Sequence, residues 1–150
     1  MEYRYARQLV IPEIGVAGQE RLACSRVLVV GAGGLGSPVL LYLAAAGVGV
    51  LGIADDDVVS VSNLNRQILY ATDDLGEGKA QRAAARMRAL NPSTNAITYP
   101  YRVLRQNGPD LVRQYDLVVE AADDLETKSI INAVCVEVGR PLVWSAVTRF

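Results

Sequence analysis

The chain of 150 residues has no histidine, which removes a serine–histidine triad and histidine metal ligation from its chemistry. It has two cysteines, Cys24 and Cys135, 111 positions apart and each in an apolar helical setting. A small buried hydrophobe is the expected role for both, rather than a disulfide or a thiol nucleophile. No apolar run reaches eighteen residues, and Met-Glu-Tyr-Arg does not open a signal peptide, so the expected location is the cytoplasm. An excess of either charge is lacking too. A net charge of −1 with scattered basic residues gives little pull toward nucleic acid or anionic membrane.

What is present is a chain with 51% hydrophobic residues and no repeat, low-complexity tract or linker, enough for one ordinary core spanning 1–150. Apolar runs at Val27–Val30, Val48–Ala54, Ala96–Tyr99, Leu117–Ala121 and Leu142–Val147 alternate with helical stretches. That alternation predicts an α/β, Rossmann-like doubly wound fold, with a mostly parallel sheet and helices on both faces. Asn91-Pro92 should end the helix begun near Lys79, and Gly139-Arg140-Pro141 the one carrying Ile130, Ile131, Val134 and Val138. Gly15, Gly18 and the glycines after Ala46 read as turns and helix ends. Lys79, Arg82, Arg86 and Arg88 read as the wet face of a helix whose other face holds Ala80, Ala83, Ala84, Met87 and Leu90.

The first run is followed at once by Gly31-Ala32-Gly33-Gly34-Leu35-Gly36 and then a helical stretch. Strand, tight turn and helix in that order suit phosphate binding. Gly31 permits the turn, Gly33 lets a phosphate approach the backbone, and Gly36 lets strand and helix pack closely, while Gly34 adds to the same cradle. Free N–H groups and the helix dipole then face the phosphates. The second run ends in Asp55, Asp56 and Asp57, nineteen residues after Gly36, where an acid can accept ribose hydroxyls. Alternation directs Asp55 and Asp57 to one side and Asp56 to the other, where it reads as a solvated loop residue.

A nicotinamide dehydrogenase would run directly into its next helix here. This chain instead reads Ser60-Val61-Ser62-Asn63-Leu64-Asn65-Arg66-Gln67, and then Leu75-Gly76-Glu77-Gly78-Lys79. With RYARQ near the start, GAGGLGS, and an aspartate in DLVVEAADD, the set resembles the ThiF/MoeB/HesA-type adenylating enzymes, relatives of the ubiquitin-activating enzymes, from about Tyr5 to Phe150. The resemblance implies ATP-dependent adenylation of the C-terminal glycine carboxylate of a ubiquitin-like sulfur carrier, with release of pyrophosphate, in a molybdopterin, thiamine or tRNA-thiolation pathway. A tRNA-modifying dehydratase of the same superfamily and a nucleotide-binding or dimerisation module without turnover remain the alternatives.

The residue types fit that chemistry. Attack on an α-phosphorus leaves growing negative charge that fixed cations must meet. Arg66 can grip two phosphate oxygens, and Lys79 acts as a point charge. Asn63 and Gln67 can orient phosphate or ribose without adding repulsion. Magnesium is expected because hard oxygen ligands suit it, and the resemblance assigns its ligand to Asp123, at the end of the run Leu117–Ala121. Relatives commonly have Asp-Asn where this chain has Asp123-Asp124; Asp124 is either the N-cap of the next helix or a second metal contact.

The resemblance also implies a homodimer in which Arg7 reaches the partner's ATP, whereas Arg4 reads as an exposed base. Such enzymes continue for about another hundred residues with two C-x-x-C pairs for a structural zinc. The chain therefore reads as the N-terminal, nucleotide-binding half, expected to bind ATP weakly and exchange slowly by itself, with its last strand an open sheet edge.

Overall fold

The computed structural model describes residues 3–147. Five parallel strands, β1 (Arg26–Val30), β2 (Val50–Ala54), β3 (Asn95–Tyr99), β4 (Leu117–Glu120) and β5 (Leu142–Trp144), lie in the order β3-β2-β1-β4-β5. The six α-helices among the described residues are α1 (Ala6–Leu9), α2 (Gly15–Cys24), α3 (Gly36–Ala46), α4 (Lys79–Leu90), α5 (Gly108–Val112) and α6 (Leu125–Val138). This is the expected α/β Rossmann-like sheet.

Alternation along β1 divides the core. Val27 and Val29 pack with Leu40, Ala44, Ala80, Ala83, Ala84 and Met87 from α3 and α4. Leu28 and Val30 pack on the other face with Leu111, Val112, Ile131 and Val134 from α5 and α6. Both faces of a parallel sheet must be covered, which is why its strands read as continuous β-branched runs. The connection from β3 to β4 carries the chain to the other side of β1, so the strand order reverses between β1 and β4. The crevice that opens beyond their carboxyl ends is the switch point at which such sheets bind ligands.

Several boundaries are tighter than the apolar runs suggest. β2 starts at Val50 because Gly47 (φ +90°) caps α3, and the Val48 and Gly49 amides donate to Leu43 and Leu22 rather than to the sheet. β4 stops at Glu120, one residue before Ala121. β5 stops at Trp144, because Ser145 turns its hydroxyl to the Glu120 carbonyl and its own carbonyl accepts from Lys128. Gly18 lies inside α2 rather than at a turn. Cys24 is exposed as the last residue of α2, while Cys135 is buried and its thiol is pushed up by that burial. Leu90, at the frayed end of α4, is 36% exposed and leaves the apolar face. Arg4 is exposed but donates to the Leu90 carbonyl at 2.9 Å, so it fastens the N-terminal segment to α4.

Candidate active site

The glycine-rich turn carries β1 into α3 under close steric constraint. Gly31 has φ +94°, and a Cβ there would lie 2.7 Å from the Ala121 backbone. A Cβ on Gly36 would overlap the Gly31 carbonyl oxygen, so these two positions admit only glycine. Gly33 and Gly34 are different. A Cβ on Gly33 would meet the Gln67 amide at 3.5 Å and one on Gly34 the Arg66 side chain at 3.6 Å, which are ordinary contacts. They show that Arg66 and Gln67 lie over the turn.

A 3-10 turn, Val61–Asn63, brings those two residues there. The Asn63 carbonyl accepts the amides of Arg66 and Gln67, at 3.1 and 2.9 Å, while the Asn63 side chain accepts from the Ser60 amide. Asn63 does not line the crevice; it holds the segment that does. Arg66 donates to the Ser62 carbonyl at 2.9 Å and remains exposed. Gln67 is buried, with its Oε1 lacking a hydrogen-bond partner among the described residues.

The loop returns through an isolated antiparallel bridge between Val58 and Gly78, which delivers Lys79 beside the end of β2. Its backbone amide donates to the Asp57 carbonyl, and its Nζ lies 2.8 Å from Asp57 Oδ2. Lys79 is therefore buried and does not share the wet face of α4 with Arg82, Arg86 and Arg88, because it points back into the crevice. Tyr70, which no motif singles out, donates its hydroxyl to the Ala32 carbonyl at 2.8 Å and pins the turn. Burial and the neighbouring acids Asp55, Asp74 and Asp57 push that phenol above its ordinary range, so it stays a donor.

Asp55 grips the same turn. Its carboxylate accepts from the Ala32 amide at 2.8 Å and from the Asp57 amide at 2.9 Å. Asp56 is exposed. Burial raises the Asp55 carboxyl above the ordinary 3.8, outweighing the two amides and Lys79, which lower it. A raised acid contributes stability that is complete below the unfolded value and fades as pH climbs through the folded one. We expect the stability of the parent minus that of Asp55→Asn to fall between about pH 3 and pH 7 in urea midpoints. A difference that grew over that range would contradict the sign.

On the other side of the crevice, Asp123 follows β4 with its carboxylate exposed and without a hydrogen bond among the described residues. Asp124 is the N-cap of α6: its Oδ1 accepts the Thr127 amide at 2.8 Å and lies 2.9 Å from Arg102 Nη2. The Thr127 amide first, and Arg102 with it, hold this carboxyl below its ordinary range. Asp124 lines the crevice, and its charge there is answered by the start of the helix and by Arg102. Arg102, a residue with no evident motif, gains its place only through the fold.

Together these elements line a crevice of about 780 Å³ that collects Gly31, Gly33, Gly34, Asp55, Asp57, Arg66, Gln67, Lys79 and Asp123. Gly36, Asn63 and Arg7 lie outside its lining. Arg7 is exposed on α1 with no hydrogen bond or ion pair among the described residues. Among those residues no cluster of three His, Cys, Asp or Glu could enclose a metal. A cation at Asp123 would therefore take its remaining ligands from phosphate and water, an arrangement magnesium favours.

The sequence model of the ThiF family matches residues 5–150. The sulfur carrier protein adenylyltransferase of Thermus thermophilus is 50% identical over 147 residues, covering 98% of this chain and 54% of that protein. The mouse adenylyltransferase and sulfurtransferase MOCS3 is 51% identical over the same length, covering 98% of this chain and 32% of that protein. This chain thus spans about half the length of the first relative and a third of the second. Among solved structures, the E. coli tRNA N6-threonylcarbamoyladenosine dehydratase in complex with ATP superimposes with a TM-score of 0.89 at 31% identity, over 94% of this chain and 58% of that one.

Proposed function

The chain belongs to the ThiF family, and from that premise we propose that it activates the C-terminal glycine carboxylate of a ubiquitin-like sulfur carrier by transferring AMP from ATP. The acceptor carboxylate oxygen attacks the α-phosphorus, the bond from that phosphorus to the bridging oxygen of the leaving group breaks, and pyrophosphate departs with the electron pair. The observation that carries this reading is the convergence of Arg66, Lys79 and the uncommitted Asp123 around one glycine-rich turn. Two cations and a metal-binding carboxylate answer the charge of a triphosphate, whereas a dinucleotide pyrophosphate would need less.

In this assignment the backbone of Gly31, Gly33 and Gly34 faces the phosphates, with Gly36 keeping the turn shut. Asp55 receives the ribose on lone pairs left over from its two amide bonds, with Asp57 beside it. Arg66, Gln67 and Lys79 meet the phosphates, and Asn63 keeps Arg66 and Gln67 in position. Asp57 shields Lys79 until the phosphates share its charge. Magnesium, held by Asp123 and phosphate oxygens, would neutralise charge on the departing pyrophosphate.

Arg7, exposed and remote from its own crevice, suits a homodimer in which it completes the partner's site. No helix among the described residues is long and apolar enough to cross a membrane, and we place the reaction in the cytoplasm. Any structural zinc would belong to a different part of such an enzyme from the cluster-free residues described here.

The likeness to the Thermus protein named a sulfur carrier protein adenylyltransferase, at 50% identity, supports this acceptor. The dehydratase likeness supports a second reading, a tRNA-linked carboxylate, but a net charge of −1 gives nucleic acid little overall electrostatic pull. ATP–pyrophosphate exchange separates these readings. Exchange is expected with a carrier ending in Gly-Gly and absent when its last glycine is removed. Exchange driven by modified tRNA alone would favour the second reading. ATP binding without exchange under any acceptor would reduce the protein to a nucleotide-binding module.

A further inference from the structure

Glu120 and Lys128 form a buried ion pair close in sequence to the acid that faces the crevice, and Lys128 also lies in the crevice lining. Glu120 is fully buried at the end of β4, and the Lys128 side chain, in α6, is 7% exposed. Their Oε2–Nζ distance is 2.6 Å. The other carboxylate oxygen accepts the Ala122 amide at 2.7 Å. Lys128 also donates to the Ser145 carbonyl at 2.6 Å, and the Ser145 hydroxyl donates to the Glu120 carbonyl at 2.6 Å. The Trp144 ring, 5.4 Å from Nζ, covers the pair from β5.

This network fixes the backbone on both sides of Asp123. Ala122 before it is held by Glu120, and Asp124 after it is held as the cap of a helix that Lys128 anchors. Asp123 makes no hydrogen bond of its own among the described residues, so its aim is set entirely by its neighbours. An apolar pair of similar volume could pack here at no loss of stability. Hydrocarbon could not, however, accept the Ala122 amide or donate to the Ser145 carbonyl, so geometry gives the charges their use.

We propose that Glu120 and Lys128 are positioning residues: a buried clamp that aims the Asp123 carboxylate at the metal and phosphates. The target of that aim rests on the adenylation reading, while the clamp itself is a statement about the turn at residues 120–124. Groups that orient a metal ligand typically alter metal affinity by about ten- to a hundredfold.

Calorimetric titration with ATP, once in magnesium and once in EDTA, reads the clamp as the dissociation constant in EDTA divided by that in magnesium. In Lys128→Met and Glu120→Gln that ratio should fall at least about tenfold, with EDTA binding unchanged within about twofold, and Lys128→Arg should restore it. Hydrogen exchange supplies a readout free of any ligand: the Ala122 amide should exchange at least about tenfold faster in both variants, while the C-terminal half of α6 keeps its protection. Where a single variant fails to fold, the double variant Glu120→Leu/Lys128→Met keeps the volume without the charges and should show the same two losses. Folded variants with parental magnesium dependence, or with parental exchange at Ala122, would overturn the clamp. A parent protein that binds no ATP would instead sink the adenylation reading, and exchange at Ala122 would then decide the clamp by itself.

Discussion

Replacing Asp123 by alanine is expected to reduce carrier-dependent ATP–pyrophosphate exchange by roughly a hundred- to a thousandfold while leaving the fold intact. The carboxylate is exposed and bonded to nothing among the described residues, so its loss removes no packing and no cap. Such surface changes stay within about 0.5 kcal/mol, and the melting temperature should move by only a degree or two. Among the described acids lining the crevice, Asp56 and Asp123 have free carboxylates, and Asp123 is the one that follows β4. Asp55 is committed to two amides, Asp57 to Lys79 and Asp124 to its helix. Exchange that survived the substitution within tenfold would remove Asp123 from the mechanism.

The same variant tests the composite site. Mixing inactive Asp123→Ala with inactive Arg7→Ala in equal amounts should restore about one quarter of parental exchange, because half of the randomly formed dimers carry one site with both residues intact. No recovery from a mixture shown to exchange subunits would confine Arg7 to a local role.

Much of this arrangement was legible because it is local. Strand, glycine turn and helix follow one another within Arg26–Ala46, so their order could be read from adjacent residues. The capping role of Asp124 was readable for the same reason: a favoured cap residue stands directly before a helical pattern. The parallel sheet followed from alternation, since right-handed crossovers leave few ways to order five strands.

What stayed hidden depends on residues far apart in sequence. Lys79 was expected at the phosphates and also on the wet face of α4, and its pairing with Asp57 through the Val58–Gly78 bridge was not readable. Asp55 suggested a ribose ligand, yet its shown partners are the backbone amides of Ala32 and Asp57. Arg102 reaches Asp124 from the segment after β3, and no spacing rule links the two. The Glu120–Lys128 pair did leave a trace. An acid closing a buried apolar strand needs a partner, and Lys128 is the one base within α6.

Two glycines of the same turn should fail in opposite ways, and this contrast is the sharpest test of the cradle. In Gly36→Ala the new methyl overlaps the Gly31 carbonyl oxygen and lies 2.9 Å from its carbon, both backbone atoms that cannot rotate aside. Gly31 cannot retreat, since its own position is set by Ala121 at the end of β4 and by its amide bond to the Ala54 carbonyl. Overpacking of this kind costs about 3 kcal/mol, or about 10 °C in melting temperature for a chain of this length, far beyond the gain in helix propensity at the first residue of α3. In Gly33→Ala the methyl meets only the end of the Gln67 side chain at 3.5 Å, so the melting temperature should stay within about 2 °C. Its cost appears on binding, because the methyl occupies space where a phosphate would approach the backbone amides. ATP affinity should drop by about tenfold or more. Differential scanning calorimetry and ATP titration of the pair measure both effects. If Gly33→Ala bound ATP as the parent does, the phosphates would not lie over this turn, whatever became of Gly36→Ala.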